Sequence, residues 1–173
     1  MPMAVDYSAE PRSRADLRRL ASEIRKTLRL DEQLYFPIVE LLDVLEETLD
    51  GFSYSIIPDD ELPSNKHADT NVYTGEIRIK ESVYDGARRG NGRDRMTIAH
   101  EFSHFMTLCF LGTKLSRTIG GGKLKAYEDP EWQAKCLAGE LLIPYERTVG
   151  MTAGEIVEKC GVSYPAAEYR TRF

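Results

Sequence analysis

Two histidines four residues apart constrain this chain more than any other feature of its sequence. His100 and His104 enclose Glu101 in the pattern H-E-x-x-H, within a segment of helical periodicity. On a helix, side chains four residues apart point the same way, so both imidazoles can reach one divalent metal ion. A catalytic zinc keeps three protein ligands and one open position, and a third ligand is therefore needed. Glu101 is the predicted base for the attacking water.

The helical phase supports a metal site. Spacings of three and four residues place several apolar side chains on one face that we expect to be buried: Ile98, Phe102, Phe105 and Cys109. A lone histidine is more often an ordinary core or surface residue, but here both histidines lie away from that face. Zinc is the expected metal, and manganese is the alternative.

A second predicted helix offers the third ligand. Asp129-Pro130-Glu131 has the order of an N-cap, an N1 proline and a first turn. The apolar stripe that follows is Ala134, Leu137, Ala138 and Leu141. Glu131 projects from the edge of this stripe, where a carboxylate is costly unless it is paired or bound to metal. The alternative is a first-turn acid that only favours the helix dipole. Glu140, Asp129 and Glu128 are weaker candidates.

Composition limits the function classes. A chain of 173 residues suits one domain, and 29% charged residues indicate a globular, soluble protein. The net charge of −5 disfavours direct DNA binding. Because neither a signal peptide nor an apolar run of about 18 residues is evident, we expect a cytoplasmic protein without a membrane span. Its three cysteines are expected to be reduced packing residues, and its oligomeric state stays open.

The chain before the motif is predicted to form two amphipathic helices and a small sheet. Their apolar stripes are Leu17, Leu20, Ala21, Ile24 and Leu28 behind a Ser13-to-Asp16 cap, then Ile38, Leu41, Leu42, Leu45 and Leu49 behind Pro37. A strand over residues 52–57 ends at Pro58, and a hairpin follows near residues 71–80 with its turn at Thr74-Gly75. The segment Glu76 to Glu81 is our candidate sheet edge for pairing with a substrate peptide, the alternative being a plain scaffold.

Two segments after the motif have weaker signals. Residues 111–125 are rich in glycine and locally basic, which predicts a flexible flap over the cleft or a solvated linker. From Thr152 onward, a capping-box pattern and a Gly161-Val162-Ser163 turn predict a helical hairpin. Its acidic residues favour packing or docking of a protein partner over reading a DNA groove. We therefore predict one structural domain, with a catalytic part at 1–150 and the hairpin at 151–173.

These motifs together resemble the ImmA/IrrE family of metallopeptidases, and the similarity covers most of the chain. The matching segments are Arg93 to His104, Glu131-x-x-Ala134 and Ala138-Gly139-Glu140-Leu141-Leu142-Ile143-Pro144. In that family the H-E-x-x-H helix supplies two ligands and the base, and the glutamate that opens the second helix supplies the third ligand. The resemblance therefore implies His100, His104 and Glu131 as ligands and Glu101 as the base. The departures are Lys135, Leu137, Gly139 and Phe102-Ser103.

The resemblance also implies a fold and a function. It implies a zincin-like α+β fold, in which a small mixed sheet packs against the two ligand helices. Its expected activity is cleavage or inactivation of a helix-turn-helix (XRE-type) repressor of a phage, mobile-element or stress regulon. The alternative is a non-proteolytic, metal-stabilised module that titrates a repressor or antitoxin, which would not need Glu101. Tyr127, His67 and Arg95 are equal candidates to stabilise the transition state.

Overall fold

The computed structural model describes residues 6–112, 115–118 and 124–173. Its fold is α+β, as predicted. The helices and strands in chain order are β1 (Asp6–Ala9), α1 (Arg14–Thr27), α2 (Ile38–Thr48), β2 (Ser53–Ile57), β3 (Ala68–Asn71), β4 (Glu76–Lys80), α3 (Glu81–Arg88), α4 (Gly92–His104), β5 (Leu115–Thr118), α5 (Pro130–Leu142), α6 (Tyr145–Thr148), α7 (Ala153–Cys160) and α8 (Tyr164–Thr171). A π-helical turn, Phe105–Phe110, continues α4. In the described part of the chain, no helix has the length and apolar character to cross a bilayer.

The main sheet is small and mixed, and it corrects one prediction. Its strand order is β2-β4-β3, with β2 parallel and β3 antiparallel to β4. The segment Glu76 to Glu81 therefore forms the central strand and the start of α3, so its prediction as a free edge was wrong. The hairpin pattern could not reveal this because the second neighbour of β4 arrives through a parallel crossover from a distant segment. The strand β3 is the edge that packs near α4.

The hairpin turns where predicted, but its first strand lies earlier than residues 71–73. The Asn71 side chain accepts hydrogen bonds from the backbone N–H groups of Tyr73 and Thr74, which turns the chain away from the sheet. Gly75 closes the turn with a φ of +75°, and an added Cβ there would lie 1.9 Å from the Gly51 carbonyl oxygen. This local hydrogen bonding ends β3 at Asn71.

Both N-terminal helices form as predicted. The capping box between Ser13 and Asp16 begins α1, and Pro37 immediately precedes α2. In β2, by contrast, Ile56 is 42% exposed while Ile57 is buried, so the simple alternation predicted for this strand fails at its end.

One core joins the helices to the sheet, and its largest fully buried apolar side chains are Leu17, Phe36, Ile38, Leu42, Ile77, Ile79, Ile98, Phe102, Phe105, Leu137 and Leu141. Each contributes about 1.5–3 kcal/mol by burial.

The helix α4 begins against the C-terminal hairpin. The Asn91 side chain caps it by accepting a hydrogen bond from the Asp94 backbone N–H. An added Cβ on Gly92 would lie 2.4 Å from the Val162 carbonyl carbon, so only glycine permits this approach. The predicted apolar face of α4 is buried as far as Phe105, but the π-helical turn changes the phase and leaves Cys109 half-buried.

The C-terminal hairpin also forms as predicted. Thr152 and Glu155 make the capping box of α7, and Gly161 ends that helix in the left-handed conformation, with a φ of +65°. The hairpin adds Ile156, Cys160, Val162 and Ala167 to the common core. Residues 151–173 are thus packed against the rest of the chain, while the boundary at residue 150 stays a prediction.

Arg95 anchors α4 to this hairpin. Its burial removes it from the three candidates for the transition-state stabiliser. Its guanidinium is fully buried and donates to the carbonyl oxygens of Cys160 (2.8 Å), Gly161 and Phe36. It also lies 4.0 Å from the centroid of the Tyr35 ring. Burial lowers the pKa of Arg95. The carbonyl dipoles replace the water that this cation loses on folding.

We expect Arg95→Met to lower the free energy of unfolding by about 3 kcal/mol, because it leaves buried carbonyl groups without a donor. Urea unfolding of the metal-free protein measures this change. Arg93→Met is the matched control, since Arg93 is exposed on the same helix and should change stability by no more than about 0.5 kcal/mol. Equal stability of the two variants would contradict the anchoring role.

Candidate metal centre

An open cleft of about 970 Å³ lies between α4, the first turn of α5 and the edge strand β3. The paired strands β1 and β5 add Tyr7 and Leu115 to its wall. Of the residues predicted to have a catalytic or metal-binding role, His100, Glu101, His104 and Glu131 all line it. The four predicted residues therefore lie together in the folded chain, although α4 and α5 are separated in sequence.

Glu131 bridges the two histidines. Its carboxylate oxygens lie 3.2 Å from His100 Nε2 and 3.1 Å from His104 Nε2. The two imidazole rings stand nearly perpendicular, with their centroids 4.7 Å apart. Asp129 caps α5 by accepting from the Glu131 backbone N–H at 2.9 Å, and Pro130 occupies the first turn. The cap and the proline thus fix where Glu131 leaves the helix.

The electrostatics of this group favour a charged carboxylate. Hydrogen bonds from His100 and His104 hold the pKa of Glu131 well below its usual range, although its partial burial opposes this shift. Burial alone would lower the pKa of His104, but the hydrogen bond and the negative charge of Glu131 raise it overall. An anionic carboxylate thus faces two imidazole nitrogens, and a cation is the natural fourth component of such a group.

The donor set fits a divalent metal. One ligand atom from each of His100, His104 and Glu131 lies within 4.8 Å of the others, so these three could hold a metal ion together. Two imidazole nitrogens and one carboxylate oxygen are ligands that zinc accepts, and three ligands leave a position open towards the cleft. Metal binding by these residues remains a prediction, which the geometry supports.

Glu101 occupies the place expected of a base. Its side chain is largely buried but reaches the cleft, on the same helix face as the two histidines. Thr70 of β3 donates a hydrogen bond from Oγ1 to Glu101 Oε2 at 2.5 Å. Sequence reasoning missed Thr70, because only the packing of β3 against α4 brings these residues together. No local pattern around a single threonine could have revealed this contact.

The weaker candidates for third ligand have other surroundings. Glu140 is 2% exposed and pairs with Arg170 (2.9 Å) and Arg18 (3.1 Å), with Arg14 at 3.7 Å. This cluster ties α5 to α1 and α8, so Glu140 is structural. The sequence predicted that α5 buries only its apolar stripe, but Glu140 lies off that stripe and is buried too. Its carboxylate can be buried because guanidinium groups surround it.

The structure places His67 and Tyr127, the two other candidates for the transition-state stabiliser, in different surroundings. His67 lines the cleft, whereas Tyr127 does not and lies instead beside Lys125, whose Nζ is 5.7 Å from the Tyr127 ring centroid.

The predicted flap at residues 111–125 lies partly outside the described residues, at 113–114 and 119–123. Leu115–Thr118 within it is a strand that pairs with β1, which the glycine-rich composition did not indicate.

A family model of metallopeptidases matches most of the chain. Residues 63–172, more than half of the chain, match the family model described as the IrrE N-terminal-like domain of the M78 peptidases. The chain belongs to this ImmA/IrrE family, as its motifs indicated. No curated protein matches the sequence significantly.

A solved structure supports the fold. It is a transcriptional regulator from Mycobacterium tuberculosis, similar with a TM-score of 0.59 and 17% sequence identity. The similarity covers 90% of this chain and 46% of that protein, so this chain spans less than half of its length. At this identity the comparison establishes the shared fold alone.

We expect the purified protein to bind about one zinc ion, and Glu131→Gln to weaken zinc affinity by more than about tenfold because a charged ligand becomes a neutral amide. Glu128→Gln is the matched control, three residues earlier and outside the cleft. Competition with a chromophoric chelator gives the affinities, and mass spectrometry gives the metal content. His104→Ala should lose most of the metal. Unchanged zinc in both His104→Ala and Glu131→Gln would refute this site.

Proposed function

We propose that this chain is a zinc-dependent endopeptidase that cleaves a helix-turn-helix (XRE-type) repressor. One observation carries the proposal: His100, Glu101 and His104 share the cleft face of α4, and Glu131 faces both histidines from α5. This is the arrangement of two nitrogen ligands, one carboxylate ligand and one base that peptide hydrolysis requires. Two nitrogen ligands favour zinc over manganese.

The roles of the residues follow from their positions. His100, His104 and Glu131 would hold the metal, which supplies a Lewis acid for the scissile carbonyl and makes water acidic enough to attack near neutral pH. Glu101 accepts the proton of the attacking water and returns it to the leaving amine. Thr70 holds the Glu101 carboxylate by a hydrogen bond, which limits its rotation. His67 is our remaining candidate to donate a hydrogen bond to the transition state.

The edge strand β3 would hold the substrate. Its inner edge pairs with β4, and three of its residues, Ala68, Asp69 and Thr70, line the cleft. Backbone groups at an exposed strand edge can pair with an extended peptide. Because Thr70 contacts Glu101, a peptide paired with β3 would lie next to the base. Such pairing needs no particular side chain, so it supplies affinity more than specificity.

The repressor enters the proposal through the family. The chain belongs to the ImmA/IrrE family, and resemblance to that family implies a helix-turn-helix repressor as substrate. The similar solved structure is itself named a transcriptional regulator. Cleavage would derepress a phage, mobile-element or stress regulon. Binding without cleavage would be the outcome if the metal only stabilises the fold and the protein titrates its partner.

We expect Glu101→Gln to reduce repressor cleavage by roughly 10²–10⁴-fold, since an amide cannot accept the proton of water. Zinc content and melting temperature should stay unchanged, because Glu101 is not a predicted ligand. Gel analysis of repressor digests by the wild type and the variant measures the effect. If Glu101→Gln released the repressor equally well in cells, a titrating module would replace the peptidase.

We expect Thr70→Val to lower kcat by about tenfold and leave KM and zinc content nearly unchanged, because the base loses the hydrogen bond that orients it. Steady-state cleavage of a repressor-derived peptide measures both constants. Thr70→Ser keeps the hydroxyl and should restore most of kcat. Equal losses in Val and Ser variants would indicate that Thr70 acts only through packing.

A further inference from the structure

The cleft beside the histidines runs along one face of α4 and its π-helical extension. Arg93, Thr97, His100, His104 and Leu108 follow one another on that face, and all of them line the cleft. At 1.5 Å per residue, Arg93 and Leu108 lie roughly 22 Å apart along the axis. An extended peptide of about six residues covers that length. Substrate residues on both sides of the scissile bond would therefore contact this floor.

The end of the cleft near the start of α4 is cationic. Arg93 lies in the first turn of α4, and Lys135 lies one helical turn after Glu131 on α5. Lys135 and Met96 line a neighbouring cavity together with Gly139. Because Glu131 faces His100 and the later residues of α5 meet the earlier turns of α4, the two helices run antiparallel. Lys135 therefore lies on the Arg93 side of the histidines.

A third cation belongs to the same end. Lys66 precedes β3 and lines the cleft on the wall opposite α5. Thr70 contacts Glu101, and the Val72 carbonyl oxygen lies 3.4 Å from Cys109 Sγ, so β3 and α4 run in the same direction. Residues before β3 therefore lie towards the N-terminus of α4. Lys66, Arg93 and Lys135 form what we call the cationic end.

These three cations are available to a ligand. Each is exposed, and none of their side chains makes an ion pair or hydrogen bond with any residue in the described ranges 6–112, 115–118 and 124–173. Asp69 is the acid nearest to them on β3, and Arg78 already holds it with hydrogen bonds of 2.9 and 2.6 Å. The cationic end thus keeps a positive charge that its own acidic neighbour does not neutralise.

The opposite end of the cleft is apolar. It is lined by Val72 after β3, Leu108 in the π-helical turn, Leu115 on β5 and Tyr7 on β1. Tyr7 and Leu115 lie on the same face of their two-stranded sheet, and both are more than a third exposed. Large exposed apolar side chains beside a catalytic group favour burial of an apolar substrate residue. We call these four residues the apolar end.

We propose, on the basis of the peptidase function above, that the cleft selects a substrate segment of two halves. One side of the scissile bond carries acidic side chains, which meet the cationic end. The other side carries a large aliphatic or aromatic side chain, which meets the apolar end. Exposed ion pairs are individually weak, so a pair of substrate acids gives a preference of about tenfold over lysines, and added salt reduces it.

The test uses the full chain loaded with zinc and four fluorogenic peptides of equal length. Two carry paired glutamates on one side of the scissile bond and leucine on the other, in both orders. Two more replace the glutamates with lysines. We expect one order to be cleaved at least about tenfold faster than its reverse. In that order, lysines should lower kcat/KM by about tenfold at low salt.

The charge-reversal variant Arg93→Glu/Lys135→Glu should invert this preference in favour of lysines. Arg93 lies in the first turn of α4, where an acid is favoured by the helix dipole, so the variant should fold. Lys26→Glu/Lys159→Glu is the matched control, because it makes the same change in net charge at exposed sites outside the cleft. The control should keep the wild-type preference.

The results distinguish this inference from the proposed function. Equal cleavage of both orders, or no charge preference in the wild type, would overturn the two-part cleft while leaving the peptidase intact. An unchanged preference in the charge-reversal variant would overturn the roles of Arg93 and Lys135. If neither the peptides nor the repressor is cleaved, the peptidase fails. Fluorescence anisotropy with zinc-loaded Glu101→Gln protein would still measure the charge preference of peptide binding.

Discussion

The antiparallel contact between α4 and α5 is the constraint on which the site depends. Buried side chains on both helices, Ile98 and Phe102 on one and Leu137 and Leu141 on the other, belong to the same core. A helix turns by about 100° per residue, so a shift of one residue in this packing would turn Glu131 away from both imidazoles. The dense apolar interface therefore fixes a polar triad at its edge, and the cleft needs few polar contacts of its own to hold that triad.

The features that could be predicted from sequence are those set by short-range physics. Helix starts at Ser13, Asp129 and Thr152 depend on hydrogen bonds within three residues, and all three caps are present. The helical spacing of His100 and His104 likewise needs only the local backbone. Glu131 is an intermediate case. The local sequence predicts its position in the first turn of α5, but its contact with the histidines depends on tertiary packing, which only the family resemblance implied.

The features that could not be predicted depend on partners far away in sequence. The neighbours of β4 are a hairpin strand and a parallel strand from before the hairpin, and only the hairpin has a local signal. Glu140 is buried because Arg18 and Arg170 come from the two ends of the chain. Thr70 orients Glu101 across 31 positions. In each of these contacts, polar groups from distant parts of the chain form hydrogen bonds or ion pairs with one another. The spacing of hydrophobic residues in the sequence carries no information about such pairs.

Two arginines of α4 show how the position of a residue around a helix decides whether its side chain is buried or faces the cleft. Arg93 and Arg95 are two positions apart on α4, so their side chains leave the helix in directions about 200° apart. Arg95 points into the protein and is held by carbonyl groups, and Arg25 is held in the same way, where burial lowers its pKa to about 10. A guanidinium group is not deprotonated in proteins, so both side chains stay charged and backbone dipoles balance their charge inside the core. Arg93 faces the cleft with no partner among the described residues, and its charge remains free to act on a substrate.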